Sequence, residues 1–250
     1  MAAREERVVG ARVRAARRRA GLTREQLAVQ TGLSWSAITQ IESGRRPNPR
    51  AETVAALARA LRVTSDFLVG HDGAATSLLS HHLLTYGDVD EFLATAGPFV
   101  AEGVRAEEAT LVVTTARNAR ALREHLGPLA SAVRFADAKD WYASPRGAFA
   151  GYRDFAAEAL GDGAAWLRVV GEPTWADRSA AAVSLWGRYE SLINLAFAAL
   201  PMTLACPYDV SSLPDEIVGH ARSAHCHTLA RGETAPNAEY VDPAEACLGD

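Results

Sequence analysis

Cysteine is scarce here, with three residues in 250, and their odd number and wide spacing (Cys206, Cys226, Cys247) argue against a disulfide framework and suit a reducing, cytoplasmic setting. No run of about 18 apolar residues occurs, so no membrane span is expected. The opening MAAREERVVG lacks the apolar core of a secretory signal. Several catalytic and nucleotide-binding signatures are missing too. There is no G-x-x-x-x-G-K-[ST], no G-x-G-x-x-G and no G-x-S-x-G. No nucleophile–base pair or metal set replaces them, so the expectation is a non-enzyme with no catalytic residue, metal or cofactor.

What is present is a strong charge asymmetry. Residues 1–70 carry 13 arginines against six acidic residues, a net +7, whereas residues 71–250 carry 13 basic and 24 acidic residues, a net −11. A basic head on an acidic body fits a nucleic-acid-binding head whose partner domain avoids nucleic acid. With 48% hydrophobic residues, each part can bury a core.

The segment Leu22–Gly44, LTREQLAVQTGLSWSAITQIESG, carries the sharpest local signal. Thr23 and Gln26 have capping-box spacing, so a helix starts there with Leu27 and Ala28 inward. Gly32 marks a sharp turn. Ser34 caps a second helix whose Ile38 and Ile41 share one face, leaving Trp35, Ser36, Thr39 and Gln40 outward. Two short helices of this kind form a helix-turn-helix, the second able to enter a major groove. An ordinary helical hairpin is the bland alternative, but the small Ala28, the Gly32 turn and the flanking arginines favour DNA. Arg24, Arg45 and Arg46 are expected on phosphates, with Ser34, Trp35, Ser36, Thr39 and Gln40 toward the groove. Arginines of the preceding helix (Arg4 to Arg19) suggest further phosphate contacts or a solvated face. Asn48, with Pro49 at the first helical position, is expected to cap a fourth helix striped by Val54, Leu57, Ala58 and Leu61, and Thr64 a short fifth.

LTREQLA, TGLS, AITQIESG and LARALRVTSDFLVG together resemble the XRE (Cro/repressor-type) family over about residues 8–70. That family often has Gln where Arg24 stands, a change of detail rather than class. The resemblance implies a DNA operator as partner.

Residues 71–80 read as a linker. Beyond it, HHLLTYG, TLVVTT, VRFADA, WLRVVGEP and TLACPYD alternate with helical stretches at 90–102, 117–126, 146–160, 179–200 and 213–229. Alternation of this kind predicts a doubly wound, mostly parallel sheet over about 81–230. The tail, 231–250, is expected to be disordered. Ligands of such sheets bind beyond the carboxyl ends of the strands. That rule selects Tyr86, Asp88, Trp141, Glu172, Trp175, Arg178, Tyr208 and Asp209, with Thr114, Thr115 and Asp137 at neighbouring ends. The set is aromatic and acidic, which suits a neutral or cationic organic molecule over a phosphate ester. Glu172 reads as a ligand-contacting acid or a structural one, and the aromatics as pocket rim or packing.

Neighbouring His81 and His82 point to opposite strand faces and so do not ligate one metal together. His225-Cys226-His227 lies in a compact run that turns its side chains apart, and Cys206 reads as an inert core thiol.

HHLLTYG, the PFVAEG turn, FADAKDW, GEPTW, ESLINLAF, CPYD and ARSAH resemble the MEDS sensory domain, as in dichloromethane-responsive repressors. The resemblance implies a degenerate RecA/KaiC-like fold without its phosphate loop, sensing small organic molecules such as hydrocarbon derivatives. The combined expectation is an all-α five-helix DNA-binding domain followed by an α/β sensory domain: a homodimeric transcription regulator modulated by an organic effector. An enzyme with a DNA-binding head and a protein-binding scaffold are the alternatives. Turnover would favour the first and a protein partner the second.

Overall fold

The computed structural model describes residues 8–69, 78–175 and 179–243. Among the described residues five helices come first: α1 (Val8–Arg19), α2 (Arg24–Thr31), α3 (Trp35–Glu42), α4 (Ala51–Leu61) and α5 (Ser65–Val69). Their apolar stripes meet in one core, where Val13, Leu27, Ile38, Ile41, Leu57 and Leu68 are fully buried. Both expected helix starts are formed. Thr23 and Gln26 exchange the two bonds of a capping box, and Ser34 accepts from the Ala37 amide. Gly32 takes φ 70°, the left-handed turn that glycine enters without a Cβ clash. Gly10 answers a different need. It lets α1 cross the end of α3 so closely that a methyl group there would overlap the Ile41 carbonyl oxygen.

The start of α4 differs from expectation. Arg50, not Asn48, is the N-cap and makes no side-chain cap bond, so Pro49 lies before the helix rather than in it. At α5, Thr64 Oγ1 does accept from the Phe67 amide at 2.9 Å. Most of the linker expected at 71–80 lies outside the described residues, and Ser80 already belongs to the first strand.

The second part is a seven-stranded sheet in the order β3-β2-β4-β5-β1-β6-β7. Its strands are β1 (Ser80–Tyr86), β2 (Ala109–Thr114), β3 (Val133–Asp137), β4 (Leu167–Gly171), β5 (Met202–Asp209), β6 (His227–Ala230) and β7 (Glu233–Pro236). All neighbouring pairs are parallel except β6–β7. Such strands, covered on both faces, show the near-continuous apolar runs seen in β2, β4 and β5. One face packs on α6 (Val89–Arg105) and α7 (Ala116–Leu126). The other packs on α8 (Ala138–Trp141), α9 (Pro145–Gly161), α10 (Ala180–Ala196) and α11 (Asp215–Ala224).

Two expectations fail here for local reasons. PFVAEG is no turn. Pro98 to Gly103 continue α6, held by the buried Phe99 and Val100. The closing helix stops at Ala224 instead of reaching residue 229, and the chain from 227 to 236 forms a hairpin where a disordered tail was expected. Asn237 explains both, because its side-chain amide donates to the Arg222 carbonyl at 2.6 Å and the His225 carbonyl at 2.7 Å. These bonds satisfy acceptors left open at a helix end.

Candidate functional site

The outward side of α3 is open. Trp35 is 50% exposed, and Ser36, Gln40 and Arg45 are exposed beside it. Gln40 Nε2 reaches Ser36 Oγ at 3.4 Å, a long bond that a base edge can replace. Thr39 is half-buried and donates its hydroxyl to the Trp35 carbonyl, and the Ser34 hydroxyl is occupied as the helix cap. Arg46 is half-buried in the loop after α3.

Arg24 departs from its expected role. Its Nε donates to Glu42 Oε2 at 2.7 Å, while Arg17 grips the same carboxylate at 2.5 and 3.1 Å. Glu42 has a fully buried side chain, and a carboxylate removed from water requires charged partners more strongly than a surface phosphate contact does. Burial alone would raise the Glu42 carboxyl, but the bonds from Arg17 and Arg24 outweigh it and hold it below the ordinary value. The signal for Glu42 was legible but unused: it follows Ile38 by four residues, on the inward stripe.

The arginines of α1 are likewise engaged within the protein. Arg12 donates to the Phe67 carbonyl, Arg14 to the Glu42 carbonyl, and Arg18 to the Arg105 carbonyl. Arg14 and Arg18 also pair with Glu107 of the α/β domain, and Arg19 lies 4.4 Å over the Trp166 ring.

At the carboxyl edge of the sheet, the acids expected to meet a ligand are bonded to the chain itself. Glu172 accepts from the Tyr86 and Thr114 hydroxyls, from the Thr115 amide at 3.1 Å, and from Asn118 Nδ2. This leaves a satisfied structural acid, and burial with the adjacent Glu172 charge pushes the Tyr86 phenol upward. Asp88 caps α6 by accepting from the Glu91 amide, and Asp209 holds a turn through Ser211. Arg178 lies outside the described residues.

The aromatic members of the set behave differently. Among the described residues, Trp141 Nε1, Trp175 Nε1 and the Tyr208 and Tyr189 hydroxyls are buried atoms without a hydrogen-bond partner. Tyr189 and Tyr208 belong to the interior between the sheet and α8–α11, and the partly buried Trp141 and Trp175 pack against it. Trp175 lies 6.1 Å from Tyr208, and Trp141 meets Tyr152 edge-on at 5.1 Å. Gly171 keeps this interior compact, since a Cβ there would strike the Tyr142 and Tyr152 hydroxyls, which are bonded to each other.

A family model described as MEDS, MEthanogen/methylotroph, DcmR Sensory domain, matches residues 80–226. The chain belongs to the MEDS family. A helix-turn-helix domain model matches residues 8–68, so a helix-turn-helix head precedes the MEDS domain. No curated protein and no solved structure matches.

Within the MEDS domain, four chemistry-bearing residues meet that sequence reasoning kept apart: His81 of β1, Glu190 of α10, Cys206 of β5 and His225 just after α11. His82 and His227 do point to the other face, where their rings stack at 5.2 Å. Considering each histidine only beside its chain neighbour hid the pairing of His81 with His225, whose ring centroids are 4.0 Å apart. Burial pushes His81 well below the usual histidine range, helped by His225, and takes His225 down to about 4. It pushes the Glu190 carboxyl up to about 8. An unpaired polar atom in such an interior costs about 1–3 kcal/mol.

Proposed function

We propose that this chain is a transcription regulator of the XRE type whose MEDS domain binds a small organic effector and thereby sets its affinity for a DNA operator. The observation that carries the reading is the group of indole and phenol donors, unpartnered among the described residues, on Trp141, Trp175, Tyr189 and Tyr208 in and against one apolar interior. Aromatic walls with a few convergent polar groups suit a small organic molecule. The position of a nucleotide phosphate loop after β1 is instead Tyr86-Gly87-Asp88, tied to Glu172 and to the α6 cap. This supports descent from a RecA/KaiC-like fold that has lost phosphate binding, and a sensing rather than catalytic role.

The effector site is placed deeper than the sheet edge, because the edge acids are already satisfied. Coupling to DNA runs through Trp166, which sits in the core of the helical domain while its Nε1 donates to Thr203 of β5. Leu185, Leu192 and Leu195 are exposed along α10 and supply an apolar face for a homodimer.

The test is fluorescence anisotropy on an operator selected from genomic fragments, with a panel of small neutral and cationic organic molecules. A true effector changes operator Kd by about 5–150-fold, and Trp175→Ala removes that change while basal Kd stays within about twofold. A folded Trp175→Ala protein that responds like wild type would place the effector elsewhere.

A further inference from the structure

His81, Glu190, Cys206 and His225 are all buried, and one ligating atom from each lies within 4.8 Å of the other three. His81 Nε2 is 3.2 Å from Cys206 Sγ and 3.8 Å from Glu190 Oε2, and His225 Nε2 is 3.8 Å from the same oxygen. Bonds of about 2.0–2.3 Å to a tetrahedral zinc-type ion hold ligand atoms roughly 3.3–3.8 Å apart, so these three separations need little adjustment and the widest, up to 4.8 Å, must close on loading.

The far sides of both imidazoles are already arranged for this. Asn194 Nδ2 donates to the Ala224 carbonyl at 2.8 Å, which turns Asn194 Oδ1 toward His81 Nδ1 at 3.2 Å. His225 Nδ1 lies 2.6 Å from the Ala221 carbonyl. Two acceptors therefore assign the ring protons to Nδ1 and leave both Nε2 lone pairs directed inward. Metal-bound histidines are oriented by outer partners of this kind. Protein groups alone do not complete the cluster. Among the described residues, His225 Nε2 and Glu190 Oε2 are buried with no hydrogen-bond partner, and a proton on the carboxyl does not close a gap of 3.8 Å.

We propose that His81, Glu190, Cys206 and His225 hold one divalent transition-metal ion of the zinc type. Two nitrogens, a thiolate and a carboxylate select a borderline ion over magnesium or calcium, which favour all-oxygen shells. Two anionic and two neutral ligands also neutralise a doubly charged ion, so the loaded centre adds no net charge to the interior. Loading releases the protons held by the thiol and the carboxyl. Four protein ligands close the shell, so the ion is a staple joining β1, β5, α10 and the end of α11, and not a catalyst. The site stands independently of the DNA and effector reading.

The full-length protein, stripped with chelator and titrated with Co²⁺, tests this. The expected result is one bound ion per chain, a thiolate-to-cobalt charge-transfer band in the near ultraviolet, displacement by Zn²⁺, and a higher melting temperature on loading. Cys206→Ser should remove the band, and His225→Gln should weaken binding at least about a hundredfold, with circular dichroism confirming that each folds. The double variant Cys226→Ser, Cys247→Ser, in which Cys206 is the sole thiol, should retain the band and keeps the test decisive if a core variant fails to fold. Absence of the band in both the wild type and that double variant overturns the site. A band that survives in folded Cys206→Ser overturns it equally.

Discussion

The indole of Trp166 meets the Phe67 ring edge-on, with centroids 5.5 Å apart and planes at 78°. Phe67 belongs to the helical domain and Trp166 to the strand entry of the α/β domain, yet both are buried in one core. Arg19 covers the indole face at 4.4 Å, and Thr203 accepts from its Nε1 at 3.0 Å. A side chain of the sensory domain thus completes the core of the DNA-binding head, which gives the two a physical connection.

Trp166→Ala should therefore cost about 3–5 kcal/mol and uncouple the two parts. Scanning calorimetry should show one cooperative transition in the wild type and two in the variant. A single unshifted transition in the variant would mean that Trp166 does not join the domains.

The Arg17–Glu42–Arg24 cluster should make stability of the head depend on pH. Glu42 is held below its ordinary value, so its contribution is present above the unfolded-state pKa and is lost as pH falls through the lower native one. Glu42→Gln should cost about 3 kcal/mol near neutrality, because the buried Arg17 guanidinium and the half-exposed Arg24 lose their charge partner. Urea denaturation at descending pH should show the gap between variant and wild type closing below pH about 4. A gap that does not depend on pH would assign the cost to packing alone.

Gln40 and Arg45 should separate base reading from backbone binding. Gln40→Ala should weaken the selected operator by about 1–3 kcal/mol and random DNA much less. Arg45→Ala should weaken both and reduce the salt slope by about 1. Equal losses on both DNAs for Gln40→Ala would remove α3 from base recognition.

Gly10→Ala should disturb the head through sterics alone. The added methyl group overlaps the Ile41 carbonyl oxygen, so α1 and the end of α3 must separate at a cost of about 1–3 kcal/mol. Reduced thermal stability together with weakened operator binding is the expected pair of outcomes. Wild-type melting would show that the crossing is looser than described.

Glu172→Gln should act on stability first. The new amide turns a donor toward the Tyr86 and Thr114 hydroxyls and the Thr115 amide, which all need an acceptor. A loss of about 3 kcal/mol is expected by chemical denaturation. Unchanged stability would reopen Glu172 as a group available to a ligand.

Elements formed by near neighbours were legible from residue order. The Thr23–Gln26 box, the Gly32 turn, the Ser34 cap and the inward Ile38 and Ile41 involve residues within one or two helical turns, so spacing alone specifies them. The alternation of β1 to β5 with helices was legible for the same reason, since apolar runs between turn residues report burial on both faces. The hairpin at 227–236 was not, because its polar residues follow no periodic pattern and Asn237 and the β1 edge hold it in place.

Residue order by itself therefore determined a basic helix-turn-helix head, an acidic α/β body and the family to which that body belongs. Tertiary structure alone decided which polar groups remain available. It bound Arg24 to Glu42 and closed Glu172 among hydroxyls, because buried charges must find partners wherever the fold brings them. It also brought His81, Glu190, Cys206 and His225 from four elements to one point. No spacing rule reaches across a sheet and two helices, so that meeting exists only once the chain has folded.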